Sequence, residues 1–269
     1  MPTSTRIYFK ADEKQVVEKA VSFTFHTGFA PSQKVKNRIS MHEAILKIEP
    51  KARILEVSTK SDKEFGKRLS AFNLKLNNRP FECAFQEAKR FEVASPISDI
   101  ELENKGSDKV VVDISDRLVG DGGVYYIEPK SDNPRELKAV IKGFMGANKT
   151  AKMSHFDYKG EIFGLDAGAK NSSSFFYDYL YFRALGENFS QDELKILLNF
   201  DIFTDIEFNH KKSINCQART CALYRYALLN DRVEFYTASK ENFKRLYKDF
   251  KGSFESKGVS LFSQDELKW

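Results

Sequence analysis

The sequence predicts a helix-rich α+β fold with a few short strands, a single domain over residues 1–269, and three observations lead there. The C-terminal third carries apolar residues at helical spacing over several long stretches. Strand-like runs are short and do not alternate regularly with helices, which argues against a doubly wound parallel sheet. Phe is abundant, 24 of 269 residues, as a packed aromatic interior requires and a disordered chain does not.

The elements follow in order along the chain. Asp12 to Ala20 reads as a short amphipathic helix, and Val21 to His26 as a strand ending at Gly28. Pro31 suits the start of a helix, and Gln33 to Lys47 carries a helical pattern that Pro50 closes. Ile54 to Ser58 alternates as a strand does. Asp62 to Leu69 is a helix leading to Ser70-Ala71-Phe72-Asn73. Asn77-Asn78 marks a tight turn before a helix that contains Glu82. Val110 to Val112 and Val124 to Ile127 are strands about the turn Gly120-Asp121-Gly122-Gly123, and Pro134 to Lys142 is a helix. Helices are then expected over Ser172–Leu185, over Gln191–Asn199 with Ser190 as its cap, over Gln217–Leu229, and over Lys240–Asp249 capped by Ser239 or Thr237. Residues 231–269 are expected to form a C-terminal helical extension.

Composition bounds the function. A net charge of +5 and an isoelectric point near 8.9 suit a nucleic-acid substrate without being diagnostic of one. Lys34-Val35-Lys36-Asn37-Arg38 and His210-Lys211-Lys212 are short basic clusters that fit either phosphate tracking or ordinary surface. Three cysteines without a Cys-x-x-Cys pair imply a reducing, cytoplasmic setting. No apolar run reaches the roughly 18 residues of a membrane span, and the first residues lack a signal-peptide core. The histidines at 26, 42, 155 and 210 have no metal-ligand spacing, so no metal is expected. Neither Gly120–Gly123 nor Gly143–Thr150 has the spacing of a dinucleotide or phosphate loop, no Gly-x-Ser-x-Gly elbow occurs, and no cofactor is expected.

The most informative stretch is Glu82-Cys83-Ala84-Phe85-Gln86-Glu87-Ala88-Lys89. On a continuous helix turning about 100° per residue, Glu82, Gln86 and Lys89 share one stripe. Phe81, Ala84, Phe85 and Ala88 form a second stripe that faces a core. An acid, an amide and an amine are thereby lined up beside an apolar surface. Spacing alone reads this as a solvated helix face.

Resemblance changes that reading. Ser70-Ala71-Phe72-Asn73 followed by Glu82-x-x-x-Gln86-x-x-Lys89 resembles the NADAR (YbiA-like) family. Phe203-Thr-Asp-Ile-Glu-Phe-Asn209 with Ser213-Ile-Asn-Cys-Gln-Ala-Arg219 is similar to a narrower branch, the NADAR antitoxins partnered with DarT-type DNA ADP-ribosyltransferases. Gly28-Phe29-Ala30 with Gln33-Lys34-x-Lys36-Asn37, and Phe176 to Tyr181, resemble the same branch. The similarity runs from about residue 23 to 225. Phe25 and Tyr179 stand where Trp is usual, Thr27 where Pro is common, and Ser95-Pro96 in place of Gly-Pro. Lys109 to Gly160 has no evident counterpart.

The resemblance implies a helix-rich YbiA-like fold and an N-glycosidase that releases ADP-ribose from guanine in single-stranded DNA, with ADP-ribose as product and a DarT-type toxin as partner. It implies that Glu82 stabilises an oxocarbenium-like ribose, with Asp178 as the second carboxylate. Gln86 would orient a ribose hydroxyl or Glu82. Lys89 would either attack the anomeric carbon, opening the sugar to a Schiff base, or act as an ammonium toward the leaving base or diphosphate. Ser70 and Asn73 would line the ribose or phosphate pocket. Asn215, Gln217 and Arg219 would contact pyrophosphate or DNA backbone, and Phe176 and Tyr177 would stack on bases. Lys34, Lys36, Arg38, Lys211 and Lys212 would track the strand. Two alternatives stay open: a YbiA-like N-glycosidase acting on riboflavin-pathway intermediates, and a non-catalytic module that binds ADP-ribose or single-stranded DNA. The Ser213–Arg219 segment speaks against the first, and the presence of Glu82 and Lys89 against the second.

Overall fold

A computed structural model describes residues 2–28, 30–103, 109–164, 172–209 and 215–249. The chain opens with a hairpin, β1 (Thr3–Ala11) and β2 (Val16–Thr24), where a helix is expected over Asp12–Ala20. Asp12 Oδ1 accepts the N–H groups of Lys14 and Gln15 at 2.8 and 2.9 Å, which closes a turn. The strands then pair without a break from Thr3↔Thr24 to Ala11↔Val16. Val16, Val17, Ala20 and Val21 fit a helical stripe, but the valines are β-branched and a complete strand partner lies next to them. Pairing wins.

Next come α1 (Pro31–Ile48), with Pro in its first turn as expected, β3 (Ile54–Glu56) and α2 (Glu64–Arg68). Asn77 and Asn78, at φ +52° and +63°, make the tight turn between β4 (Lys75–Leu76) and β5 (Arg79–Pro80). α3 (Phe81–Glu87) ends earlier than the spacing suggests, so Lys89 is not helical but opens β6 (Lys89–Glu92). A ribbon, β7 (Asp99–Glu103) and β8 (Lys109–Asp113), precedes the hairpin of β9 (Leu118–Asp121) and β10 (Val124–Ile127). Gly122 and Gly123, at φ +57° and +89°, supply the left-handed turn this hairpin needs.

α4 (Pro134–Ala147) is capped by Asn133, whose side chain accepts the Arg135 and Glu136 N–H groups. It is followed by β11 (Lys152–Tyr158), β12 (Glu161–Gly164) and α5 (Ser172–Asn188). Ser190 and Glu193 form a reciprocal capping box on α6 (Gln191–Leu194), which continues as a 3₁₀ turn to Asn199. β13 (Ile202–Thr204), α7 (Gln217–Leu229), α8 (Val233–Thr237) and α9 (Lys240–Asp249) complete the order, and Ser239 Oγ caps α9 by accepting the Asn242 N–H. The class is α+β, as the sequence predicts.

Two compact units divide the described chain, one up to Lys75 and from Tyr177 onward, the other from Leu76 to Phe176. The first contains a sheet of order β2-β1-β13-β3, antiparallel except for β13 with β3. Tyr8, Val21, Phe23, Met41, Ile45 and Ile202 close its core between sheet and α1. α7 is buried from Gln217 to Ala227, so its polar residues lie inside the unit. The second unit has an antiparallel sheet of order β12-β11-β6-β10-β9. Leu137, Val140, Ile141 and Phe144 of α4 pack on Phe91, Ile100 and Ile127 there.

Candidate active site

In the second unit, α3 buries Phe81, Cys83 and Phe85 and carries Glu82 in its first turn, where free N–H groups favour a carboxylate. Gln86 is buried too, and its Oε1 accepts a hydrogen bond from Lys89 Nζ at 2.8 Å. Lys89 thus reaches back from the first residue of β6 onto the last turn of α3, with its amine 5.5 Å from the Phe85 ring centroid. Strand alternation places Lys89 on the same face as Phe91, the face that α4 covers. From α4, Lys138 acts electrostatically on both Glu82 and Lys89.

Burial pushes the Glu82 carboxyl up, and the opposing pull of Lys138 and Lys89 does not cancel it. Burial, with Lys138 as a second cause, lowers the Lys89 amine to about 8, against the opposite effect of Glu82. Burial thus works against the charge of both groups, strengthening the hold of the acid on its proton and weakening that of the amine. Shifts in these directions favour a nucleophilic amine and a proton donor.

The first unit builds a separate polar spine. Ser70 and Ala71 are buried in the turn after α2. Ser70 O accepts the Asn73 N–H at 2.8 Å, and Asn73 Nδ2 donates to Lys67 O at 2.8 Å. Gln217, from the first turn of α7, accepts the Ala71 N–H at 2.7 Å and also hydrogen-bonds Asp205. Asp205 accepts the N–H groups of Glu207 and Phe208 at 3.0 and 3.2 Å. Beside it, Glu56 accepts from Ser58 Oγ at 2.5 Å, Thr204 Oγ1 at 2.7 Å and the Ile206 N–H at 2.9 Å, with His42 Nε2 at 3.8 Å. Burial pushes Glu56 up, but the donors from His42, Ser58, Ile206 and Thr204 outweigh it and hold the carboxyl below its usual range. Burial, and then repulsion from Glu56, keep Asp205 well above its own.

Asp178 sits in the same unit, fully buried. Its oxygens accept from Arg219 Nη2 at 3.0 Å, Thr220 Oγ1 at 2.5 Å and the Tyr247 hydroxyl. This is a carboxylate saturated by protein donors, and Arg219 is its buried counter-ion rather than an outward-facing phosphate clamp. Asn215 is half-buried.

Phe176 does not offer a stacking face. It is fully buried, with ring centroids of Phe156, Phe163 and Phe85 at 4.3, 4.8 and 5.8 Å. Tyr177 is buried, its ring 6.0 Å from that of Tyr181. Among the basic residues, Lys34 pairs with Glu207 at 2.7 Å, and the buried Arg38 pairs with the exposed Asp62 at 2.7 Å. Lys36 is exposed and lines a shallow depression with Thr24, His26, Ile39, Ser40 and Glu43. Lys211 and Lys212 lie outside the described residues.

Sequence reasoning missed three residues. Asp205 stands inside the quoted Phe203–Asn209 segment, and a carboxylate in a run of buried residues is a signal. Glu56 gives the same signal at the end of Ile54-Leu55. Lys138 gives none, since it lies on the polar face of α4.

Residues 4–110 and 126–257 match the model of the DarT1-associated NADAR antitoxin. The chain belongs to this family. The match takes in α4 and β11, where the sequence alone shows no counterpart, and passes over most of β8 and the hairpin of β9. No curated protein matches the chain. Among the described residues no group of three or more His, Cys, Asp or Glu side chains is placed to hold a metal ion, and no helix is long and apolar enough to cross a membrane.

Proposed function

We propose that this NADAR antitoxin is an N-glycosidase that removes ADP-ribose from guanine in DNA and so reverses the modification made by a DarT1 toxin. The observation that carries the reading is the Glu82–Gln86–Lys89 cluster, in which a half-buried amine, held by Gln86 at 2.8 Å and lowered to about 8, stands with an acid of raised affinity for its proton. Family membership supplies the toxin as functional partner.

The proposed chemistry uses the direction of those two shifts. The Lys89 lone pair attacks the ribose anomeric carbon as the bond to the guanine exocyclic nitrogen breaks, and Glu82 delivers a proton to the departing amine. The ring oxygen then leaves the same carbon and takes up a proton, which leaves an imine between ribose and Lys89. Water adds to that imine, Lys89 departs, and ADP-ribose is free. Gln86 holds the amine in line through its Oε1, and the Phe85 ring excludes water from one side. Within the first unit, the turn of Ser70 and Asn73, held by Gln217, would offer polar groups to a nucleotide, and Lys36 would offer a contact to phosphate.

The test is an oligonucleotide carrying ADP-ribosyl-guanine, followed by mass spectrometry. Return of the unmodified mass is expected. An unchanged mass with retained tight binding would make the protein a reader of the modification instead.

A further inference from the structure

We propose that Phe72 is a stacking platform for a purine ring of the nucleotide ligand, presented to solvent by a turn whose neighbouring side chains serve to hold it rigid. The inference deepens the nucleotide reading above and rests on it.

Phe72 is 56% exposed, while Leu69, Ser70, Ala71 and Leu74 around it are 3% exposed or less. An apolar ring left in water forgoes the roughly 1.5–3 kcal/mol that its burial brings, so its exposure adds nothing to folding. The turn that carries it is tied at every neighbour. Tyr181 OH donates to Leu69 O, Gln217 accepts the Ala71 N–H at 2.7 Å, and Ser70 Oγ accepts the Phe72 N–H at 3.4 Å. Asn73 and Leu74 donate their N–H groups to Ser70 O at 2.8 and 3.1 Å, and Asn73 Nδ2 is fixed on Lys67 O. A buried hydroxyl, a buried amide and two helices are thus committed to the position of one exposed ring.

A preorganised aromatic binds a flat partner at little entropic cost. The open face of Phe72 contrasts with Phe176, which three other rings enclose. Lys67 and Arg68 precede the ring and Lys75 follows it, and the pairs Lys67–Glu64 at 3.2 Å and Arg68–Glu193 at 2.9 Å are solvent-exposed and exchangeable. An exposed aromatic ring in a segment rich in cations fits a base carried on phosphates better than an apolar peptide. The adenine of ADP-ribose and the guanine of the DNA share this chemistry.

The experiment uses Phe72→Trp in a Trp269→Phe background, because Trp269 is the single Trp of the chain. Titration compares ADP-ribose, ribose 5-phosphate and a guanine-containing single-stranded oligonucleotide by fluorescence quenching. Saturable quenching by ADP-ribose but not by ribose 5-phosphate assigns the ring to adenine. Quenching by the oligonucleotide alone assigns it to guanine. Phe72→Ala should weaken the quenching ligand about tenfold or more, as loss of one stacked base does, with Phe72→Trp retaining affinity and the melting temperature of each variant near wild type. Wild-type affinity in Phe72→Ala for both ADP-ribose and the oligonucleotide overturns the platform, even if the protein turns over ADP-ribosylated DNA. Saturable quenching without any turnover keeps the platform and overturns the glycosidase.

Discussion

Two acid–base pairs in this molecule, one buried and one half-buried, are treated by the protein in opposite ways. Asp178 and Arg219, in the first unit, are completed as an ion pair: the carboxylate has three donors, and although burial works against the charge of Arg219, Asp178 and then Tyr247 more than restore it. Glu82 and Lys89, in the second, are left incomplete. Gln86 is a neutral partner for the amine, and Lys138 brings a like charge. Burial therefore pushes both groups toward their neutral forms. Satisfied charges hold a fold together, and the proposal above assigns the unsatisfied ones to chemistry.

That contrast breaks or sharpens under substitution. Asp178→Ala strands a buried guanidinium and should cost about 3–5 kcal/mol in urea unfolding. A variant that kept wild-type stability and lost only turnover would erase the difference between the two pairs. Glu82→Gln and Lys89→Arg should do the reverse, with unfolding midpoints close to wild type and rates lower by roughly 10²–10³, the scale of a lost transition-state donor. Borohydride added during turnover should leave ADP-ribose mass on the Lys89 peptide of wild type and none on Lys89→Arg, whose guanidinium stays protonated.

Lys138→Met is a smaller and finer change. The wild-type rate should climb as pH rises through about 8, where Lys89 loses its proton. Removing the like charge raises the Lys89 value, so the climb moves to higher pH and the rate at neutral pH falls roughly severalfold. Lys138→Arg should restore the wild-type profile, and an unmoved profile in Lys138→Met would remove Lys138 from the site. The smallest effect belongs to Gly122→Ala. Its φ of +57° strains any side chain by about 1 kcal/mol, nothing crowds the added carbon, and turnover should not change.

Much of this was legible in the residues, and the failures have a pattern. Pro31, Asn77-Asn78, Ser190 and Ser239 mark their helix starts and turn in the structure where the sequence puts them. The hairpin of β1 and β2 was not legible, because the spacing of its valines suits a helix as well as a strand. Periodicity also ran past Glu87 and carried Lys89 onto a helix, where the sheet claims it: Lys89 pairs with Phe156 of β11. The Lys89 contact with Gln86 survives because a long flexible amine reaches back across the chain turn.

The sequence by itself determined what is written within a few residues: helix periods and caps, the left-handed turns at Asn and Gly, and the presence of an acid, an amide and an amine close together in one short segment. Tertiary structure alone decided how each charged or aromatic group is used. Gln217 meets Ala71 across 146 residues, Asp178 meets Arg219 across 41, and Phe176 is enclosed by rings from α3, β11 and β12. The reason is physical. Local backbone preference depends on neighbours in sequence, whereas burial, proton affinity and hydrogen-bond satisfaction depend on which distant segments fold against a side chain.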